Sequence, residues 1–341
     1  MTADAVAVVI VTHDSASEIG ATLGEVLRQL RPDDELIVVD NGSGDETVSV
    51  VRSVAPVARV VEQGNKGFAG GAVAGATVAS SPLLLFLNPD ARPAAGCLDE
   101  LRRAAWERPD WGAWQALVTM DGGTRINTAG NVVHFLGVSW AGRCERPVSE
   151  APTSPEDVAF ASGAALMVRR QAWQEIGGFD ERWFMYCEDL DLGLRLRLAG
   201  WGVGIAPAAR VEHAYEFDKG ERKWFLLERN RWWTILSNYP SRLLLLLAPA
   251  LLAAELALLA VAAQGGWLGA KLRSQCAVLR TLPAMLARRR AVQTGSHVSA
   301  SAFAEHLTAE LDSPFLGPVA RIGPLAAAQR AYWQAVQRLL K

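Results

Sequence analysis

The chain has 341 residues, half of them hydrophobic, and a formal net charge of −2. That length allows two domains or one large one with a sizeable core, and the near-neutral balance argues against nucleic acid as a partner. Its four cysteines, Cys97, Cys144, Cys187 and Cys276, are scattered without a CxxC pair, which argues against a disulfide framework or zinc cluster and suits a reducing cytoplasm. The first residues hold no basic stretch followed by an apolar run, so no signal peptide is expected there.

Val6–Thr12 is a continuous apolar run, the pattern of a strand covered on both faces of a parallel sheet. Ser15 to Glu18 reads as a capping box opening a helix that reaches about Leu30, where Arg31-Pro32 ends it. Glu35–Asp40 reads as a second strand. Asn41 to Asp45 has turn chemistry, and Ser43 with Glu46 reads as the cap of a second helix. A third strand follows at Val57–Glu62. The glycine-rich loop Gly64–Gly71 (GNKGFAGG) then runs into a small-residue helix through Ala79, and Leu83–Leu87 is a fourth strand, ended by Asn88-Pro89-Asp90. Strands alternating with helices predict right-handed βαβ units and a mostly parallel sheet.

Ligands bind such sheets beyond the carboxyl ends of the strands. The polar residues leaving those ends are Thr12-His13-Asp14, Asp40-Asn41, Asn65-Lys66 and Asn88-Pro89-Asp90. The turn after the first strand, THDSASEIG, is not the GxGxxG of a dinucleotide-binding domain, and no GxxxxGK[ST] phosphate loop is present. Nor is that turn the basic, glycine-rich loop of a sugar-phosphate nucleotidyltransferase.

From Trp111 to Pro155 the alternation stops. Ala113–Met120 and Arg125–Phe135 read as strands joined by the hairpin signal Asp121-Gly122-Gly123. Arg146–Asp157, with its prolines, reads as a loop, either a lid or plain surface. Trp183–Trp201 opens with aromatics and then places Glu188, Asp189 and Asp191 in the first turn of a helix marked by Leu190, Leu194 and Leu198. Acids there complement the helix dipole, and Asp191 can pair with Arg195. The same field keeps a carboxylate ionised, as a general base requires. Trp183, Phe184 and Tyr186 read either as a sugar-stacking platform or as core.

Leu243–Ala263 is long enough to cross a bilayer but holds Pro249 and Glu255, and a charge within a span costs about 2.5–3.5 kcal/mol. Arginines and lysines flank it on both sides (Arg229, Arg231 and Arg242; Lys271, Arg273, Arg280 and Arg288 to Arg290), with tryptophans nearby. Residues 243–290 are therefore expected to lie on a membrane surface as a monotopic anchor, with a spanning helix, a buried hairpin or a homodimer contact as alternatives. Ser301–Leu311 and Leu325–Leu340 read as helices.

The segments VVIVTHDSA, IVVDNGSGD, GNKGFAGG, LLFLNPDA, ASGAALMVRRQAWQEIGGFDERWFMYCEDLDLGLRLRLAGW and VEH, in this order, resemble the family 2 glycosyltransferases of the GT-A fold. The likeness is to their bacterial rhamnosyltransferase-like and galactofuranosyltransferase-like branch, and covers roughly residues 6 to 240. It implies a Rossmann-like nucleotide-sugar-binding α/β domain over 1–240, with nucleotide-binding (1–90) and acceptor (91–240) halves, and a helical region over 241–341. It further implies a metal-dependent inverting transfer of a sugar from a nucleotide diphosphate donor to a hydroxyl.

On that resemblance Thr12 and Asp40 would hold the nucleoside, with Asn65, Gly67 and Phe68 lining the nucleotide site and Ser162 near the diphosphate. Asn88-Pro89-Asp90 stands where the family has Asp-x-Asp, departing from it at Asn88. Asp90 would ligate a divalent metal, Mg²⁺ or Mn²⁺, with His213 as second ligand. Asp189 would be the general base and Glu188 its neighbour. The implied donor is dTDP-rhamnose, with UDP-galactofuranose or another UDP-sugar as the alternative. The implied acceptor is polyprenyl-linked or another envelope glycan, at the cytoplasmic face of the cell membrane. A catalytically decayed nucleotide-sugar-binding scaffold is the competing reading, which Asn88 alone encourages.

Overall fold

A computed structural model describes residues 2, 4–213, 220–312 and 323–341. In chain order its elements are β1 (Val6–Thr12), α1 (Ile19–Leu27), β2 (Glu35–Asp40), α2 (Thr47–Val54), β3 (Arg59–Glu62), α3 (Gly67–Val78), β4 (Leu83–Leu87), β5 (Arg92–Pro93), α4 (Cys97–Glu107), β6 (Trp111–Met120), β7 (Arg125–Thr128), β8 (Asn131–Val133), β9 (Ser139–Ala141), β10 (Glu156–Asp157), β11 (Ala165–Arg169), α5 (Arg170–Ile176), α6 (Glu188–Leu198), β12 (Gly202–Glu212), α7 (Gly220–Asn238), α8 (Ser241–Gln264), α9 (Leu268–Thr294), α10 (Ala300–Ala304) and α11 (Gly323–Leu340). The chain forms two compact units. The first is Met1–Asn131, Ala141–Leu196 and Trp201–Tyr215; the second is Val132–Trp140, Arg197–Gly200 and Glu216–Lys341.

The first unit is built on one sheet in the order β10-β12-β6-β11-β4-β1-β2-β3, with β5 on β12 and β7 on β6. β1 is buried along its whole length, as its unbroken apolar run requires. It pairs in parallel with β2 and β4, and β2 with β3. The small residues of α3 have a packing cause: a Cβ at Gly75 would stand 2.3 Å from the Val9 side chain, and one at Gly71 2.4 Å from Val11, so only glycine lets the helix lie this close on β1. β11 is reversed, antiparallel to both β4 and β6, while β12 runs parallel to β6. The carboxyl ends of β1, β2, β4, β6 and β12 therefore share one edge with the amino end of β11. That register is what assembles the site.

Local differences from the sequence reading have local causes. The Ser15 hydroxyl bonds back to the His13 carbonyl, so α1 starts later, at Ile19, with no capping box. The Ser43 hydroxyl goes to Asp40, and Asp45 accepts from the Thr47 amide at 3.0 Å instead. The hairpin at Asp121 to Gly123 forms, joining β6 and β7 as antiparallel neighbours. Arg125–Phe135 is two strands, β7 and β8, because Gly130 turns the chain at φ +93°. Arg146–Asp157 is tied at both ends: the Val148 amide bonds the Thr124 carbonyl, and Glu156 and Asp157 pair with β12. It is a strap and not a free lid. Trp183 is fully buried core and cannot stack on a sugar.

In the second unit α7, α8 and α9 meet around buried charges. Lys271 is fully buried, with its ammonium 2.7 Å from Glu255 and in contact with Glu228, while Arg231 pairs with both carboxylates. Gln275 and Trp232 donate to Glu255 at 2.6 and 2.9 Å. Glu255 thus faces inward and is paired, not exposed on the apolar side of α8. α8 is 24 residues long and apolar enough to cross a membrane by length and composition, with 11% of its most apolar window buried. His134 is buried in this unit, where desolvation lowers its pKa to about 4. The helix expected over Ser301–Leu311 is only the short α10, after which Thr308 bridges to His134.

Candidate active site

Thr12 and Asp40 are cross-strand partners at the ends of β1 and β2, and both are buried. The Thr12 hydroxyl donates to Asp40 Oδ1 at 3.2 Å. The other Asp40 oxygen accepts from the amides of Gly42 and Ser43 at 3.1 and 3.0 Å. Asp40 therefore organises the loop after β2, and its 5% exposure leaves little of it to meet a ligand directly. Asn41 reaches on to the Gly67 carbonyl at 2.8 Å, and the Asn65 side chain accepts the Gly67 amide at 2.9 Å. These contacts tie the loop after β2 to the glycine-rich turn.

Gly67 adopts φ +71°, and a Cβ there would stand 2.1 Å from the Phe184 carbonyl oxygen, which also accepts the Ala69 amide at 3.1 Å. Phe184, Tyr186 and Cys187 have φ of 63°, 68° and 61°, a region that non-glycine residues seldom occupy. The backbone leading into α6 is thus bent sharply against the start of α3. Phe68 packs on Phe179 (5.9 Å between ring centroids) and faces Gly163.

Asn88 and Asp90 follow β4, and His213 follows β12. His213 Nε2 stands 3.2 Å from Asp90 Oδ1 and 3.4 Å from Asn88 Nδ2. The imidazole is buried while the Asp90 side chain is 42% exposed, so the pair opens to solvent on the carboxylate side. His213 is held by backbone: its amide donates to Thr119 O at 2.8 Å, and its carbonyl accepts from Asn127 at 2.9 Å. No cluster of three or more metal-ligating side chains occurs among the described residues. A carboxylate and an imidazole nitrogen facing each other at this distance fit a divalent cation that completes its shell with phosphate oxygens and water.

At the start of α6, Asp189 Oδ2 accepts the Gly163 amide at 3.1 Å and Oδ1 accepts the Leu190 amide at 2.8 Å. Burial raises its pKa, and those amides oppose the rise because they favour the ionised form. Glu188 is 8% exposed, and its Oε2 has no hydrogen-bond partner among the described residues. Burial pushes the Glu188 carboxyl well above its usual range, with the charges of Asp189 and Asp191 pushing the same way. The two adjacent carboxyls thus differ in their partners: Asp189 has two amides that favour its ionised form, and Glu188 Oε2 has none among the described residues. Asp191 is structural, paired with Arg195 at 2.7 Å, and Arg195 in turn bonds the carbonyls of Ile176 and Gly178. Ser162 lies in the turn before β11, its hydroxyl accepting the Ala164 amide at 3.4 Å.

The structure thus gathers Thr12, Asp40, Asn65, Gly67, Phe68, Asn88, Asp90, Ser162, Glu188, Asp189 and His213 in the first unit, most of them along one sheet edge. Sequence reasoning placed Ser162 and Gly163 near the diphosphate, but missed the Gly163 and Leu190 amides as partners of Asp189, the Phe184 carbonyl, and Gln115, which accepts the Ser162 amide. Only Gln115 leaves a trace in the sequence, as a lone amide inside the apolar run WGAWQALV.

The profile of the family described as Glycosyltransferase like family 2 matches residues 3–234. The chain is 32% identical over 240 residues to the N-acetylglucosaminyl-diphospho-decaprenol L-rhamnosyltransferase of Mycobacterium tuberculosis (strain ATCC 25618 / H37Rv), covering 62% of this chain and 76% of that protein. It is 37% identical over 75 residues to the rhamnosyltransferase WbbL of Escherichia coli (strain K12), covering 22% and 27% of the two chains. Among solved structures, GalNAc-T7 with UDP, GalNAc and Mn²⁺ superposes with a TM-score of 0.57 at 14% identity, over 70% of this chain and 48% of that one, a likeness of fold. The chain belongs to glycosyltransferase family 2 and is a glycosyltransferase of the GT-A fold.

Proposed function

We propose that this enzyme transfers rhamnose from dTDP-rhamnose, with inversion, to a hydroxyl of a polyprenyl-linked glycan at the cytoplasmic face of the cell membrane. The observation that carries the reaction type is the pairing of a carboxylate held by two amides, Asp189, with the Asp90–His213 pair in the same unit. The sugar and the lipid-linked acceptor rest on the relatives, which are rhamnosyltransferases, one named for a decaprenol-linked substrate. In this reading the chemistry belongs to residues 1–240, and the helices of 241–341 supply the membrane contact.

The nucleoside lies along the edge organised by Thr12 and Asp40, with the glycine-rich turn at Asn65, Gly67 and Phe68 beside it. Asn88, Asp90 and Ser162 face the diphosphate. Asp189 accepts the proton of the incoming hydroxyl as that oxygen attacks the anomeric carbon from the side opposite the departing diphosphate. Glu188 lies beside it, its carboxyl pushed toward the neutral form by burial. Asp90 and His213 would hold a divalent cation, which when bound would neutralise charge on the leaving diphosphate.

The exposed faces of α8 and α9 support a lipid surface as the second partner. Leu245, Leu252 and Leu256 on α8 and the heptad-spaced Leu272, Leu279 and Leu286 on α9 are exposed, with exposed Arg273, Arg280 and Arg290 on α9. Inward pairing of Glu255 leaves the outer face of α8 free of charge along its apolar length. Such a face, flanked by cations, suits the interface of an anionic membrane.

A transfer assay with dTDP-rhamnose, UDP-galactofuranose and other UDP-sugars, on wild type and Asp189→Asn, tests the reading. Turnover of dTDP-rhamnose above the UDP-sugars, lost in Asp189→Asn with donor binding kept, is expected. Preference for a UDP-sugar transfers the assignment to that donor, and donor binding without turnover of any of them returns the scaffold reading.

A further inference from the structure

Gln115 is a fully buried amide in the middle of β6, between Trp114 and Ala116, which are buried core. An amide there costs stability unless both ends are hydrogen-bonded. Both are. Its Oε1 accepts the Ser162 amide at 2.9 Å, and its Nε2 donates to the carbonyl and hydroxyl of Thr128 at 3.2 and 3.4 Å. The Thr128 hydroxyl in turn donates to Asn131 Oδ1 at 2.7 Å. The anchored residue, Ser162, begins the turn that carries Gly163, whose amide donates to Asp189. The same turn supplies the Ala164 carbonyl that accepts the Asn88 amide at 3.1 Å.

We infer that Gln115 is a positioning residue for the transfer: it holds the Ser162–Gly163 turn so that the Gly163 amide meets Asp189 Oδ2 and keeps that carboxylate ionised and aimed. The inference rests on the reading of Asp189 as general base. The Gly163 N–H favours the charged form of Asp189 and so opposes the rise that burial causes. Letting the turn relax withdraws that hydrogen bond. The Asp189 pKa then rises further, and the acidic limb of the pH–rate profile moves to higher pH.

The test compares kcat and KM against pH for wild type, Gln115→Met, Gln115→Glu and Asp189→Asn. Gln115→Met matches the shape of the side chain without its hydrogen bonds. It is expected to lower kcat at neutral pH and to shift the acidic limb upward by about one to two pH units. Gln115→Glu, buried and protonated, keeps an acceptor for Ser162 and a donor for Thr128, so it restores most of the activity. Should Gln115→Met not fold, Gln115→Asn replaces it: its amide falls one methylene short of Ser162, and the same shift is expected. A folded Gln115→Met or Gln115→Asn with the wild-type acidic limb overturns the inference. Activity retained in Asp189→Asn overturns the base assignment instead, so the two failures are told apart.

Discussion

His213 Nε2 lies 3.2 Å from Asp90 Oδ1, joining the residue after β12 to the residue two past Asn88 at the end of β4. These positions are 123 residues apart in the chain and adjacent only because β12, β6, β11, β4 and β1 lie in that order across the sheet. A carboxylate and an imidazole make a spare donor set, so each carries much of any cation affinity. We expect His213→Ala to lower transfer by about 10- to 100-fold at limiting metal. The loss should be partly recovered at high Mn²⁺, as a titration of rate against metal would read. Rates indifferent to both metal and His213 would remove the pair from the site.

Glu188 makes stability depend on pH in an unusual direction. Its folded pKa is raised well above 4.5, so above that value the unfolded chain gives up the proton first and the folded state holds more protons. Stability is therefore lost as pH rises from the unfolded value through the folded one. Glu188→Gln cannot ionise and is expected to escape this loss. Its melting temperature relative to wild type should improve between pH 5 and pH 8, as thermal melts at both values would show. A constant difference between the two proteins would mean that Glu188 finds a partner for its charge in solution.

Gly67→Ala tests the contact between the glycine-rich turn and the backbone before α6. The substitution places a Cβ against the Phe184 carbonyl at a backbone angle that alanine seldom adopts. It is expected to destabilise the fold by about 1–3 kcal/mol and to weaken donor binding, measured by chemical denaturation and by calorimetry. Gly24 has open space at its Cβ position, so Gly24→Ala is the control.

Leu252 and Leu279 are 65% and 70% exposed, so changing them leaves the packed core untouched. Glutamate at either position is expected to weaken sedimentation with vesicles containing anionic lipid by about tenfold or more, with secondary structure unchanged. Unchanged vesicle binding together with a loss of dimer on gel filtration would assign this face to a second copy of the chain.

Much of the fold is legible in the sequence because it is written in local patterns. The apolar runs of β1, β2 and β4 can be satisfied only between two covering layers, and the small residues of α3 announce a helix lying tight on the sheet. The acidic start of α6, the Asp191–Arg195 pair and the apolar length of α8 follow from spacing alone. What only the tertiary structure decided is whom each polar group meets. Glu255 turns inward to Arg231 and Lys271, His213 meets Asp90, and Trp183 disappears into the core. The backbone amides that hold Asp189 have no side-chain signature at all. The long-range hydrogen bonds and charge pairs join groups brought together by sheet register and helix packing, which no short stretch of chain encodes.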